Sequence, residues 1–288
     1  MISFLDKIRP DLVRSLLPPS ERLRLEAYLL DDCGYGTDIF GTRPEGLASA
    51  YALGYWLHQN YFRVVSGGHD NIPDQGAAVI VGNHSGVLPF DGVMVSADIF
   101  HAKNPPRLLR YMVDYFAYRI PFLGTYFRSL GQVSGTRRNF DGLIHEGHLV
   151  GIFPEGARAL GKPAKERYQL RDFSHGHVEL AARHGVPVIP FGVVGAEEQQ
   201  TMIANLEPLA RALKLPFVPL TTTFPLLGPV GLLPRPSQYF INFGTPIEID
   251  PDVLRNIELR REAVARVQAA VSEQIKIGLE RRGRGGER

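Results

Sequence analysis

The chain of 288 residues holds one cysteine, Cys33. A lone thiol forms no internal disulfide and no thiol-cluster metal site, and it suits a reducing compartment, so the cytosol is the expected location. Uninterrupted apolar runs are scarce as well. The N-terminal stretch MISFLDKIRPDLVRSLL is broken by Asp6, Lys7, Arg9 and Asp11, which leaves no apolar core of the kind an export signal needs. The longest charge-free stretch, Leu215 to Pro234, has the length of a membrane span. Its five prolines at 216, 219, 225, 229 and 234 each remove a backbone donor, and hydrocarbon offers no substitute partner for the groups left over. Neither sign of charge dominates, with 32 Lys and Arg against 30 Asp and Glu. A net +2 identifies no partner, but residues 255–288 carry nine Lys or Arg against five Glu. Such an arm suits an anionic lipid surface, nucleic acid, or plain solvent.

What is present reads as a folded α/β protein. Hydrophobic residues make up 44% and charged residues 22%, an ordinary soluble composition with enough apolar mass for one large core. Residues 1–30 show helical spacing interrupted at Pro18-Pro19, with Ser20 expected to cap a helix starting at Glu21. A further helix is expected from Leu47 to Arg63. The segments AAVIVGN, HLVGIFPEG and GVPVIPFGVVG have the short, two-sided apolar pattern of buried parallel strands. Crossover helices are expected over Asp91–Ala102, Pro121–Leu130, Asn139–Gly147 and Asp172–His184. The expected fold class is therefore α/β, a mostly parallel central sheet flanked by helices, with an N-terminal helical extension. The expected divisions are 1–60 for that extension, 61–250 for the core, and 251–288 for a C-terminal helix and basic tail.

Ligands of such sheets bind at the carboxyl ends of the strands, and two polar breaks fall there. VGNHSGVLPFD ends an apolar strand with Asn83 and His84, then restarts with Pro89 at a helix entry and Asp91 in the first turn. Free N–H groups and the helix dipole favour a carboxylate at that point. An aspartate holding one imidazole nitrogen leaves the other free to accept a proton, so His84 is the candidate general base and Asp91 its orienting partner. The second break, GIFPEGARALGK, sets Glu155 and Gly156 after another strand, followed by Arg158, Lys162 and Lys165. A third segment, GQVSGTRRNF, offers Arg137 and Arg138. The cations of both segments are candidate phosphate ligands.

Taken in order, Asn83-His84 with Asp91, the Gly/Arg segment, Phe153-Pro154-Glu155-Gly156 and Val186-Pro187-Val188-Ile189-Pro190 resemble the four blocks of the glycerolipid acyltransferase superfamily, of the bacterial 1-acylglycerol-3-phosphate acyltransferase kind. The likeness covers roughly residues 60 to 250. It implies that His84 deprotonates an acceptor hydroxyl, which attacks the thioester of acyl-CoA or acyl carrier protein without an acyl-enzyme. On the same likeness Asp91 orients His84, and Asn83, Glu155 and Gly156 belong to the acceptor site. Arg158 and one of Arg137 or Arg138 would bind a phosphate, and Val186 to Pro190 would line the acyl channel. No metal or cofactor is implied. The implied partners are the acyl donor, a lipid acceptor such as lysophosphatidic acid or another lysophospholipid, and a membrane surface met peripherally from its inner face, with no nucleic acid. One feature departs from the pattern. Six residues, Ser85 to Phe90, separate the histidine from the aspartate where the family usually has four. The longer spacing, and the segment TFPLLGPVGLLPRP, resemble the branch acting on diacylglycerol or long-chain alcohols.

Four other readings were weighed. GARALGKP nearly matches a phosphate-binding loop, but Pro163 stands where a Ser or Thr hydroxyl must hold magnesium. Ser85 lies in Gly-Asn-His-Ser-Gly rather than the Gly-x-Ser-x-Gly elbow of serine hydrolases. His145, His148, His175 and His177 lack a metal-ligand pattern. A non-catalytic lipid-binding protein remains the alternative should His84 and Asp91 not meet.

Overall fold

The computed structural model describes residues 15–28, 34–119, 122–160, 162–200, 202–206, 208–210 and 217–285. Cys33 and most of the helix expected before Pro18 lie outside them. Helices α1 (Pro19–Ala27) and α2 (Pro44–Trp56) precede strands β1 (Val65–Gly67) and β2 (Ala78–Gly82). Then come α3 (Phe90–Ala102), β3 (Leu109–Val113), α4 (Tyr115–Arg119), α5 (Leu123–Ser129), β4 (Val133–Ser134), α6 (Arg137–His145) and β5 (Leu149–Ile152). The remainder is α7 (Gly176–His184), β6 (Val188–Val194), β7 (Met202–Asn205), β8 (Pro219–Thr221), β9 (Phe240–Phe243) and α8 (Ile257–Gly285).

Seven strands form one sheet in the order β1-β9-β6-β2-β5-β3-β4, while β7 and β8 pair apart from it. All neighbours are parallel except β6 and β9, so the fold is α/β with a mostly parallel sheet and helices at the N-terminal side. The central strands are apolar on both faces because helices cover both. Val79 and Val81 of β2 enter one core with Phe140 of α6, Val178 of α7, and Val267 and Val271 of α8. Ile80, pointing the other way, joins Met94 and Ile99 of α3, Leu109 of β3 and Phe191 of β6. Each fully buried Val or Ile contributes roughly 1.5–3 kcal/mol, so this two-sided burial holds the central strands in register. Helix α8 presents Ala263, Val264, Val267, Val271 and Ile275 at helical spacing, and its body packs into the same core as the parallel strands.

Two local expectations are revised. Helix α1 starts at Pro19 rather than behind a Ser20 cap, because the missing proline N–H costs nothing in the first turn. The helix expected through Arg63 ends as regular α-helix at Trp56 and continues as a π-helical turn, Leu57–Tyr61. That wider turn carries the buried His58, whose Nε2 lies 2.9 Å from Asp98 on α3.

Candidate active site

The sheet register brings the two polar breaks together. Val81 of β2 pairs with Ile152 of β5, so Asn83-His84 and Phe153-Pro154-Glu155 leave the sheet side by side at its carboxyl rim. Asn83 binds the next strand over: its Nδ2 donates to the Val193 carbonyl at 3.0 Å and its Oδ1 accepts the Val193 N–H at 2.8 Å. The side chain thus prolongs the β2–β6 ladder by one rung and fixes where the chain departs. Both polar atoms of its amide are thereby engaged with the sheet.

His84 follows, with Nδ1 2.8 Å from Asp91 Oδ2. Asp91 is fully buried in the first turn of α3. Its Oδ2 also accepts the Ser85 N–H and its Oδ1 accepts the Gly92 N–H, both at 2.8 Å. A carboxylate can only accept, so this network puts the imidazole proton on Nδ1 and leaves Nε2 as the basic nitrogen. Nε2 makes no hydrogen bond among the described residues. The six-residue loop closes between the two partners because Gly86 takes a φ of +91°, and a side chain there would collide with Gln199.

Aromatic stacking sets the plane of the imidazole. Phe153 lies parallel to the His84 ring at 4.1 Å between centroids, and Tyr111 stacks on the far face of Phe153 at 4.9 Å. Gly151 makes this possible, since a Cβ there would fall 2.5 Å from the Tyr111 ring. A π face against the imidazole favours the imidazolium that a general base becomes.

Glu155 is buried and holds the loops together. Oε1 accepts the His84 N–H at 3.2 Å, and Oε2 accepts the Arg171 N–H at 2.8 Å and lies 2.9 Å from Lys162 Nζ. Lys162, read from sequence as a phosphate cation, is thus the buried counter-ion of Glu155. Beyond it stands Glu197, which burial pushes up to about 7 against the lowering influence of Lys162 and the Tyr168 N–H.

The structure therefore gathers His84, Asp91, Asn83, Glu155 and Gly156 at one rim. Arg137 and Arg138 are exposed in the first turn of α6, which follows edge strand β4. Arg137 faces Glu179 at 3.8 Å. The Arg158 side chain lies outside the described residues. Sequence reading assigned nothing to Phe153 or Tyr111, although a ring directly before Pro-Glu-Gly at a strand end was the available signal. Among the described residues no three His, Cys, Asp or Glu side chains converge as metal ligands.

Residues 63–194 match the family model described as Acyltransferase. The match covers the stretch of the chain that carries His84, Asp91 and Glu155. The chain is 39% identical over 215 residues to an uncharacterized protein of Mycobacterium tuberculosis, covering 74% of this chain and 60% of the relative. It is 25% identical over 228 residues to the Gallus gallus protein named "DGAT1/2-independent enzyme synthesizing storage lipids", covering 78% of this chain and 61% of that one. The chain thus spans about 60% of the length of these relatives. Among solved structures, the 1-acyl-sn-glycerophosphate (LPA) acyltransferase PlsC of Thermotoga maritima superposes with a TM-score of 0.52 at 17% identity, over 94% of this chain and 97% of that one, a likeness of fold. The matched stretch spans β1 to β6 and so contains both polar breaks.

Proposed function

We propose that the protein transfers a fatty acyl group from an acyl thioester, acyl-CoA or acyl carrier protein, to a hydroxyl of a lipid. His84 Nε2 takes the hydroxyl proton as the acceptor oxygen bonds to the thioester carbonyl carbon. The resulting oxyanion collapses, the C–S bond breaks, and the imidazolium returns the proton to the departing thiolate. The products are an ester and a free thiol, with no acyl-enzyme and no cofactor. Asp91 keeps Nδ1 protonated throughout, and the Phe153 face favours the transient imidazolium. The observation that carries this reading is the 2.8 Å His84–Asp91 bond at the strand-end rim of the matched stretch. Supplying the purified protein with labelled palmitoyl-CoA and a panel of lysophosphatidic acid, other lysophospholipids, diacylglycerol and fatty alcohol tests it. Ester formation is expected, and free fatty acid as the sole product would reject it.

A second reading of the acceptor, a neutral lipid rather than a lysophospholipid, is favoured by the pairing of Lys162 with Glu155 and by Arg137 facing Glu179. We also propose that the protein works peripherally at the inner face of a membrane. No helix among the described residues is long and apolar enough to cross one. Supporting a surface contact, Leu226, Leu227, Val230 and Leu233 project from the proline-rich turn after β8 at 88%, 60%, 65% and 60% exposure. Residues 217–247 contain no acidic side chain to oppose an anionic headgroup.

A further inference from the structure

A group of half-used polar side chains includes Ser85, the residue after His84, and three residues that follow β6. Gln199 accepts the Tyr239 hydroxyl on Oε1 at 2.9 Å and leaves Nε2 unpartnered against Gly86. Gln200 donates Nε2 to the Leu232 carbonyl and leaves Oε1 unpartnered. Glu197 accepts the Tyr168 N–H on Oε2 at 2.9 Å and leaves Oε1 unpartnered. The Ser85 hydroxyl is likewise unpartnered, although its N–H is held by Asp91. All four residues are more than nine-tenths buried. Ser85, Glu197 and Gln200 line one narrow crevice with Gly86, Lys162 and Met202. A buried polar atom without a partner costs about 1–3 kcal/mol, and three around one crevice are a cost that a bound polar group would remove.

We propose that this crevice is a subsite for a second, unreacting hydroxyl of the acceptor, so that the preferred acceptor is a glycerol ester with two free hydroxyls. The inference rests on the acyl-transfer reading and names its substrate class. Size and charge both select a hydroxyl. The free space is about 10 Å³, room for one water-sized group and too small for a phosphate. The ammonium of Lys162 is already paired with the Glu155 carboxylate and has no charge to spare for an anion. A hydroxyl both donates and accepts, matching the acceptors on Glu197 and Gln200 and the donor on Ser85.

Isothermal titration of the full chain with monooctanoylglycerol, octanol and octanoyl lysophosphatidic acid tests the subsite without requiring turnover. Monooctanoylglycerol is expected to bind most tightly. Glu197→Gln and the near-isosteric Gln200→Met should each weaken it roughly tenfold or more relative to octanol, while the lysophosphatidic acid, whose phosphate the crevice does not admit, changes less. Equal affinities in the parent protein, or parallel shifts of all three ligands in both variants, overturn the subsite. Retained glycerol-ester selectivity with no acyl transfer from palmitoyl-CoA would instead refute the catalytic reading and leave the subsite standing.

Discussion

Helix α3 carries two buried aspartates on one face, Asp91 and Asp98, and each holds a histidine. Asp91 spends its oxygens on His84 and two backbone N–H groups, and the far nitrogen of His84 stays free at the sheet rim. Two turns down the helix, Asp98 binds His58 and Ser66 through Oδ1 and His69 through Oδ2, while Gln59 occupies the other nitrogen of His58. The chemistry of the two pairs is the same. What separates them is the presence of a basic nitrogen with nothing attached, next to a place where substrate can come. A His–Asp pair that is saturated on both sides is a brace between α2, α3 and β1.

The contrast is broken or sharpened most strongly at His84. His84→Ala should lower acyl transfer by about 10²- to 10⁴-fold with far-UV circular dichroism unchanged, because a general base is lost and no brace is removed. An unaltered rate constant would erase the distinction between the pairs. Asp91→Asn should come next, lowering kcat by about tenfold or more but less than His84→Ala, since an amide lets the imidazole adopt the wrong tautomer. Its pH–rate profile, compared with that of the parent protein, reports whether the tautomer is the cause. Asp98→Asn should do the reverse, costing about 1–3 kcal/mol of stability in urea while leaving turnover little changed.

The pH dependence sets the two further apart. Burial alone would raise Asp98, but hydrogen bonds from His58, His69 and Ser66 outweigh it and hold the carboxyl at about 2. A carboxyl depressed on folding stabilises the protein above its unfolded value of 3.8, and that contribution is lost as pH falls toward 2. The loss amounts to about 2 kcal/mol. Urea midpoints measured from pH 6 down to pH 3 should therefore fall less steeply in Asp98→Asn than in the parent protein. The smallest effect is expected at Phe153. Replacing it with Leu removes the ring face behind the imidazole and should lower kcat roughly two- to tenfold.

The site was legible wherever the interacting groups are close in the chain. Asn83, His84 and Asp91 span nine positions, and a strand end followed by a proline-led helix entry is enough to bring the last two within reach. The central strands β2, β5 and β6 were legible for the same kind of reason, because burial on both faces writes an apolar run. Strands β1, β3, β4 and β9 were not, being either short or carrying residues such as Arg110, whose guanidinium is buried on Thr42 and Asp38. Lys162 shows the limit most clearly. Its spacing from Glu155 fits a phosphate loop, and only the fold of residues 155–171 turns it back onto the carboxylate. Arg137 and Arg138 show the same limit, since a Gly/Arg block reads alike whether its strand is central or, as here, at the sheet edge.

The sequence alone determined the α/β class, the rim at which chemistry can occur, and the His84–Asp91 pair, because periodicity, strand ends and helix entries are local properties of the chain. Tertiary structure decided the rest. The Phe153–Tyr111 stack, the Glu155 clamp and the crevice of Ser85, Glu197 and Gln200 join segments far apart in sequence. Whether a buried charge is a tool or a strut depends on which neighbour satisfies it, and strand order and loop packing supply that neighbour.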